Sequence, residues 1–325
     1  MTQELYSGTI YTRHGYPTAH TKEAVMKRKV PALAALLVLA ALLIGCGSAD
    51  DVKDGGTVST QPSPATTVAP GGSTSTSDGQ ATTTSTPGET IQVTAYFTMN
   101  EKVAAAHRQV PYTKEVAKAA MEELLKGPNA QEKEVGMFTT VPANTLLLGI
   151  AVNDKIATVD LSKEYESGGG SLSMSLRLAQ VVYTLTQFPT IDAVQFKLDG
   201  QPVEVFGGEG LILDHPVGRA DYEELTPAIL VESPTVGDTV GSPMRIIGTA
   251  NTFEATFMIT ITDWDGKVIA EQFATATSGS GTRGTFDVSV PFTWSTYPRG
   301  ALTVWESSAK DGSHINVVEI PLNFE

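Results

Sequence analysis

The chain has 325 residues, a formal net charge of −14 and one cysteine. Such an acidic surface repels the phosphates of nucleic acids and the headgroups of anionic lipids, which excludes both as charge-driven partners. A single cysteine also excludes an intramolecular disulfide framework. Apolar residues make up 41% of the chain, which is ordinary for globular domains.

The N-terminal segment has the layout of an export signal. A basic cluster, Lys27 to Lys29, precedes an apolar run from Val30 to Ile44. This run is shorter than the roughly 20 residues that a membrane-spanning helix needs, and its length suits the apolar region of a signal peptide. Residues 26–45 are therefore predicted to be a signal peptide. The alternative is an uncleaved anchor helix.

The apolar run ends in Leu43-Ile44-Gly45-Cys46, which resembles the lipobox of bacterial lipoproteins. That resemblance implies cleavage between Gly45 and Cys46 and a diacylglycerol on the Cys46 thiol. Two or three acyl chains hold a protein stably on a membrane, whereas a single chain is marginal. The sequence thus predicts a protein outside the cytoplasm that is attached to the membrane through the lipid on Cys46.

Two further segments flank the predicted signal peptide. Met26 opens a complete signal-peptide start, so residues 1–25 are interpreted as a gene-model extension. Residues 46–89 are rich in Ser, Thr, Gly and Pro and hold almost no large apolar side chain. Such a segment cannot bury enough surface to offset its ordering entropy, so it is predicted to be a disordered tether.

Residues 90–222 are predicted to form a first globular domain of mixed strands and helices. Alternating β-branched and aromatic residues indicate the strands, and apolar residues at helical spacing indicate the helices. The predicted elements, in chain order, are a strand at 91–99, a helix at 114–126 with Thr113 as N-cap, a hairpin at 145–161, a helix from Ser171 or Ser173 to Phe188, and a hairpin at 193–206. This order favours an antiparallel sheet with both helices on one face.

Several stretches of this domain resemble a known family. They are Glu122-Glu-Leu-Leu-Lys-Gly-Pro, Thr140-Val-Pro-Ala-Asn-Thr, Ala157-Thr-Val-Asp-Leu-Ser-Lys-Glu-Tyr, Leu178-Ala-Gln-Val-Val-Tyr and Leu198-Asp-Gly. With them, residues 91–210 resemble the GerMN domain of sporulation and germination proteins. The resemblance implies an extracytoplasmic, non-enzymatic module that is similar in fold to the ring-building motifs of envelope machines. It implies no catalytic residues.

Residues 227–325 are predicted to form a second domain of strands alone. The strands are predicted at 229–231, 244–250, 256–262, 268–276, 284–290, 301–306 and 315–322, with turn signals between them. Seven strands without a helix in about 100 residues favour an immunoglobulin-like sandwich. Its predicted core contains Phe257, Ile259, Phe286, Val288, Val304 and one or more of Trp264, Trp294 and Trp305.

The second domain also carries a resemblance. Its motifs are Val231-Glu-Ser-Pro-Thr-Val-Gly, Gly248-Thr-Ala-Asn-Thr-Phe and Glu306-Ser-Ser-Ala-Lys-Asp-Gly. They resemble the immunoglobulin-like domain of bacterial spore germination proteins, which implies adhesion or assembly. The predicted fold class is thus an α+β GerMN-type domain followed by an all-β immunoglobulin-like sandwich.

No pattern in the folded part indicates catalytic residues, a cofactor or a metal site. His107, His215 and His314 lie in separate segments and in no zinc-binding spacing. No Gly-x-Ser-x-Gly elbow exposes a nucleophilic serine. Asp263-Trp-Asp-Gly lacks the later ligands of a calcium loop, which favours a hairpin turn.

Thr184 and Gln187, on the second predicted helix, are considered as a contact surface; the alternative is that they form the solvent face of the helix. Taken as a whole, the sequence predicts a lipid-anchored envelope protein that binds an envelope protein or a cell-wall partner without catalysis. The alternative function is an envelope hydrolase that acts on peptidoglycan. A solute receptor is disfavoured, because the predicted modules do not make two hinged lobes.

Overall fold

The computed structural model describes residues 88–208, 210–293 and 296–325. The predicted extension at 1–25, the predicted signal peptide, Cys46 and almost all of the predicted tether lie outside the described residues. Within these residues, no helix is long and apolar enough to cross a membrane.

The first part of the described chain combines helices with short sheets. Its elements are β1 (Thr90–Met99), β2 (Lys102–Pro111), α1 (Val116–Lys126), α2 (Ala130–Glu134), β3 (Leu147–Asn153), β4 (Ile156–Leu161), α3 (Ser171–Leu185), β5 (Ala193–Leu198), β6 (Gln201–Pro202), β7 (Val205–Phe206) and β8 (Leu211–Ile212). β1 and β2 form one hairpin, β3-β4-β5-β6 form a four-stranded sheet, and β7 and β8 form a second small hairpin.

The prediction of a wholly antiparallel sheet is wrong. β4 and β5 pair in parallel, from Ile156 opposite Ala193 to Leu161 opposite Leu198. Between these two strands the chain passes through α3, and a helical crossover brings the next strand back in the same direction. The four-stranded sheet is therefore mixed.

Strand β2 was absent from the prediction. Its sequence has three consecutive alanines and charged neighbours, and these residues have little preference for strands. It nevertheless pairs with β1 along its whole length. The turn between them places Asn100 and Glu101 at φ of 51° and 61°, the left-handed conformation that tight hairpin turns require.

Three boundaries differ from the predicted ones. α1 begins at Val116, and the Thr113 hydroxyl accepts a hydrogen bond from the Glu115 N–H in the turn before it. α3 ends at Leu185 rather than at Phe188. The last predicted strand of this domain is divided, because β6 pairs with β5 while β7 pairs with β8.

The second part of the described chain contains eight strands in two sheets. They are β9 (Ile229–Ser233), β10 (Thr239–Val240), β11 (Met244–Ala250), β12 (Thr256–Asp263), β13 (Val268–Thr275), β14 (Gly284–Val290), β15 (Arg299–Ser307) and β16 (His314–Phe324). One sheet has the order β10-β16-β15-β12-β13 and the other the order β14-β11-β9. The short strand β10 was not predicted; it pairs in parallel with the end of β16.

Side chains from both sheets form one core in this second domain. Phe257, Ile259, Phe286 and Val304 are buried there, as predicted, and Val288 is partly buried against them. The indole of Trp264 is 66% exposed and takes no part in this core. Trp305 is half-buried, and its indole N–H donates to the Thr260 hydroxyl.

Strand β9 contributes to two cores. Ile229 and Val231 belong to the core of the second domain, whereas Leu230, between them, is buried in the core of the first domain. Successive side chains of a strand point to opposite faces, so β9 is buried on both of its faces. Along its paired edge, β9 lies next to β11. The two strands are so close that a Cβ at Gly248 would lie 2.0 Å from the Leu230 carbonyl oxygen, which leaves room only for glycine there.

The outer edge of β1 is covered by side chains of α3 and by Gln187, two residues after its end. The Thr184 hydroxyl accepts from the Tyr96 N–H at 3.0 Å, and the Gln180 amide donates to the Tyr96 carbonyl at 3.1 Å. The Gln187 amide bonds both the N–H and the C=O of Thr94. Residues at spacings of three and four lie on one face of a helix, so these three side chains bond the strand as one row.

This arrangement corrects the interpretation of Thr184 as part of a contact surface for a partner, whereas for Gln187 that interpretation stays a prediction. Thr184 is fully buried and Gln187 is half-buried. Their polar groups face β1 because the buried N–H and C=O groups of a strand edge require hydrogen-bond partners. The alternative, that they form the solvent face of α3, is wrong for Thr184 for the same reason.

Arg177 extends the same face of α3 towards a loop. Its buried guanidinium donates to the carbonyl oxygens of Thr140, Ser167 and Gly168 at 2.9 to 3.1 Å. Burial lowers the pKa of Arg177 from its ordinary value, because neutral carbonyl oxygens offset the loss of water less than a carboxylate would. Arg177 therefore holds the loop before α3 through neutral acceptors.

We expect Thr184→Val to destabilise the protein by about 1–3 kcal/mol, because it leaves the buried Tyr96 N–H without an acceptor at nearly unchanged volume. Urea unfolding of the purified protein measures the change. Thr158→Val, on the half-exposed face of β4, is the matched control and should change stability by less than about 0.5 kcal/mol. Equal stability of Thr184→Val and the unchanged protein would contradict the proposed role of the hydroxyl.

Candidate functional site

The described residues belong to one compact unit, and polar side chains between its two domains form a network of ion pairs and hydrogen bonds. A 3-10 segment, Arg219–Leu225, connects the domains. We call this segment the connector, and the contacts that it and its neighbours make between the two domains are called the junction. Three clusters of polar groups make up the junction.

The first cluster joins Arg219, Tyr96 and Glu232. The Arg219 guanidinium donates to a Glu232 carboxylate oxygen at 2.8 Å and to the Tyr96 hydroxyl at 3.3 Å. The Tyr96 hydroxyl donates to the same Glu232 oxygen. Because Tyr96 lies in β1 and Glu232 in β9, this cluster bonds the two domains directly.

The rings of Tyr96 and Tyr183 enclose the Arg219 guanidinium. Its central carbon lies 4.7 Å from the Tyr183 ring centre and 5.4 Å from that of Tyr96, within the range of cation–π attraction. Burial, followed by the negative charge of Glu232, raises the pKa of Tyr96 well above its ordinary value. The phenol therefore stays protonated and serves as the donor to Glu232.

The second cluster joins the connector to the second domain. Arg283 donates to both carboxylate oxygens of Glu223 at 2.8 and 3.0 Å, and the Asn251 amide donates to one of them at 2.9 Å. The hydrogen bond from Arg283 is the main cause of a lowered pKa of Glu223; burial acts in the opposite direction. Two parallel bonds fix the orientation of both side chains.

The third cluster lies between β2 and the loop after β9. The Asp238 carboxylate is 2.7 Å from the Nδ1 atom of His107 and accepts the Thr235 N–H at 2.7 Å. The His107 N–H donates to the Thr235 hydroxyl at 3.1 Å. Burial acts to raise the pKa of Asp238, and the bonds from His107 and Thr235 outweigh it, so the pKa lies below its ordinary value.

Next to these clusters, an apolar cleft of about 190 Å³ separates the β1–β2 turn from β16. Met99, Val103 and Met137 line it from the first domain, and Val231, Val318 and Ile320 line it from the second. The cleft is smaller than the roughly 300 Å³ at which small-molecule sites begin. We therefore interpret it as part of the contact between the domains.

Each of the three histidines in the folded part contacts a different partner, and none contacts another histidine. His107 bonds Asp238 in the junction, His215 bonds the exposed Asp214, and the ring of His314 stacks on Trp305. Within the described ranges, no group of three or more His, Cys, Asp or Glu side chains is arranged to hold a metal ion.

Of the residues considered from the sequence, His107 belongs to the third cluster of the junction and Gln187 lies beside the first cluster. Gln187 lines a shallow polar pocket with Thr94, Thr186, Arg219 and Glu232, while Thr184 is buried beneath. Sequence reasoning missed Tyr96, Arg219 and Glu232, which come together from positions up to 136 residues apart. One signal was present: Ile229-Leu230-Val231 is an uninterrupted apolar run, which indicates a strand buried on both faces.

Comparison with known proteins identifies both domains. Residues 94–204 match a domain family described as "Sporulation and spore germination". Residues 228–313 match one described as "Immunoglobulin-like domain of bacterial spore germination". The chain therefore carries a GerMN domain followed by an immunoglobulin-like germination domain, and this part of the sequence interpretation is confirmed.

The chain is 25% identical over 165 residues to the spore germination protein GerM of Bacillus subtilis (strain 168). This match covers 50% of the chain and 43% of GerM, so it spans less than half of that relative. Among solved structures, the first GerMN domain of GerM from Bacillus subtilis has 24% identity and a TM-score of 0.36, with coverage of 40% of this chain and 99% of that chain. The tandem GerMN domains of the same protein have 15% identity, a TM-score of 0.36 and 62% coverage of each chain.

A double-mutant cycle on Arg219 and Glu232 should give a coupling energy of about 1–3 kcal/mol, because both side chains are mostly buried and share hydrogen bonds with Tyr96. Arg219→Met, Glu232→Leu and the double variant are compared by urea unfolding. The control cycle uses Lys155 and Asp192, which lie 3.1 Å apart and are both mostly exposed. Its coupling should stay below about 1 kcal/mol. Equal couplings in the two cycles would contradict a cooperative junction.

The lowered pKa of Glu223 also predicts how stability depends on pH. A carboxylate whose pKa is depressed in the folded state stabilises that state when the pH is above its ordinary pKa, here 4.5. This contribution is lost as the pH falls through the depressed pKa. Glu223→Gln should therefore unfold more easily at pH 7 and lose less stability below pH 4.5 than the unchanged protein.

Thermal unfolding at a series of pH values tests this dependence. Glu101→Gln removes an exposed carboxylate in the β1–β2 turn and is the matched control. Its loss of stability in acid should follow that of the unchanged protein. If Glu223→Gln lost as much stability in acid as the unchanged protein and the Glu101→Gln variant, the bond to Arg283 would not stabilise the junction.

Proposed function

We propose that this chain is a lipid-anchored, extracytoplasmic assembly module of the germination or sporulation type, without catalytic activity of its own. The tandem of the two germination-related domains is the observation that carries this proposal. In this proposal, residues 90–222 are the GerMN domain, with a fold like that of ring-building motifs. Residues 227–325 are an immunoglobulin-like sandwich.

The junction supports a role in assembly. Domains that share a chain ordinarily move relative to one another unless their interface is large or strongly bonded. Here three polar clusters and the shared strand β9 join the two domains. A partner in the envelope would therefore meet two domains at a fixed relative orientation, which lowers the entropy cost of binding both at once.

The lipobox-like sequence supports the anchoring. Cys46 is the single cysteine of the chain and follows an apolar run of signal-peptide length. Residues 46–89 would then separate the lipid from β1, and their Ser/Thr/Gly/Pro composition suits a flexible tether. The partner in this proposal is an envelope protein or the cell wall, because an acidic chain disfavours nucleic acid.

We expect Cys46→Ser to block lipid attachment, so that the protein stays unprocessed or appears outside the membrane fraction. A thiol is needed for the thioether to diacylglycerol, and a serine hydroxyl does not replace it. Fractionation of cells that express the full chain, followed by mass measurement of the membrane form, tests this outcome.

The Arg219→Met variant is the control for the anchoring experiment, since it weakens the junction and leaves the lipobox intact. It should remain in the membrane fraction with the same lipid mass as the unchanged chain. Cys46→Ser protein that is processed and held on the membrane as before would refute the lipid anchor.

A further inference from the structure

The outer face of the five-stranded sheet carries a row of apolar side chains. Met258 in β12 lies opposite Phe273 in β13 on one side and opposite Trp305 in β15 on the other. Their sequence neighbours Ile259 and Val304 point into the core, so these three side chains lie on the solvent face. The Phe273 side chain is 71% exposed. We call Phe273, Met258 and Trp305 the apolar row.

A shallow pocket of about 340 Å³ lies at this row. Phe253, which is 61% exposed, lines it together with Phe273 and Met258, and Thr256 and Ser307 add two hydroxyls. Its volume falls within the range of small-ligand sites, which begins at roughly 300 Å³. Two exposed aromatic side chains in one pocket favour a ligand that has apolar faces.

The aromatic side chains are held in place before any ligand arrives. The buried Glu306 carboxylate accepts the Phe253 N–H at 2.8 Å and the Asn316 amide at 2.7 Å, which ties both segments to the end of β15. The His314 ring stacks on the Trp305 indole with 3.5 Å between ring centres. A site that is ordered in advance loses less entropy on binding.

A row of hydroxyls and carboxylates runs beside the apolar row. Strand pairing places its members next to one another, two residues along each strand and therefore on the same face: Glu271, Thr260, Thr303 and Glu319. We call these four residues the polar row. Its charge is negative, which repels phosphate-bearing ligands. Its oxygens accept hydrogen bonds, and its hydroxyls also donate them.

We propose that this sheet face binds a linear, uncharged glycan strand of the cell wall. A sugar ring has apolar C–H groups on its faces and hydroxyls around its edge, which is the division between the apolar row and the polar row. The sugar faces lie on Phe253, Phe273 and Trp305, and the sugar hydroxyls bond the polar row. This inference deepens the proposed function and rests on its location outside the cytoplasm.

The shape of the apolar row favours a glycan over a protein. A stable protein interface covers roughly 800 Å² on each partner and has few charged side chains at its centre. The apolar row is one side chain wide, and Glu271 and Glu319 belong to the row directly beside it. A strip of this width fits a chain that is one ring wide.

The hydroxyls favour a glycan over a basic peptide. Thr256, Thr303 and Ser307 place neutral hydroxyls near the apolar row. An ammonium or guanidinium group needs acceptors alone, whereas a sugar hydroxyl uses both the donor and the acceptor of each protein hydroxyl. A basic peptide as the ligand is an outcome that the experiment detects.

Co-sedimentation of the purified full chain with cell-wall sacculi, stripped of phosphate-containing polymers, tests the proposal. Phe273→Ala should weaken binding about tenfold, because it removes the most exposed ring of the apolar row. Phe273→Tyr keeps the ring and should bind like the unchanged chain. The matched control is Trp264→Ala, which removes a similarly exposed ring in the β12–β13 turn and should leave binding unchanged.

Competition identifies the part of the wall that is bound. Soluble glycan strands freed of their peptides should displace the chain from sacculi, and free wall peptides should not. The proposal is overturned if the chain does not sediment, if Phe273→Ala and Trp264→Ala weaken binding equally, or if peptides displace it and glycan strands do not. Unfolding midpoints of the variants should equal that of the unchanged chain, since the changed side chains are exposed.

The two proposals fail in different experiments. A chain that is held on the membrane through Cys46 but does not bind sacculi overturns the glycan site alone. A chain that binds glycan strands but carries no lipid overturns the anchor alone.

Discussion

Tyr96 connects the inside of the first domain to the second domain, and each of its polar groups has a different task. Its N–H donates to Thr184, its C=O accepts from Gln180, and its hydroxyl donates to Glu232. The first two bonds fix β1 against α3, since buried backbone groups need partners. With the backbone fixed, the hydroxyl is held where Arg219 and Glu232 meet it. The order of the junction thus follows from the way in which a strand edge is covered.

Both the covered edge of β1 and the junction bury charged side chains, and each buried charge loses favourable contacts with water. A buried guanidinium or carboxylate loses its hydration, and only close, well-oriented partners offset the loss. Arg177 uses carbonyl oxygens for this purpose, whereas Arg219 uses a carboxylate and two aromatic rings. Such groups contribute little to net stability compared with apolar packing, but they tolerate few alternative geometries. They define how the domains are oriented more than how firmly they fold.

Local patterns in the sequence predicted most strands of the second domain, because alternation there reflects a sheet with one buried face. They failed where the partner of a residue is distant. Thr184 has the spacing of a polar helix face, and only the position of β1 shows that this face is internal. β2 has little preference for strands and forms because β1 pairs with it. Arg219 and Glu232 are charged residues near loops, and nothing local distinguishes them from solvated ones.

Strand β9 also limits how the chain acquires its structure. Leu230 fills a place in the core of the first domain, although it lies after that domain and the connector in the sequence. In a chain that emerges N-terminus first, the first domain therefore keeps a gap in its core until β9 arrives. That arrival also supplies the first strand of the second domain. The first domain thus completes its core only with a strand of the second, so replacing either domain would also require a matching side chain at the position of Leu230.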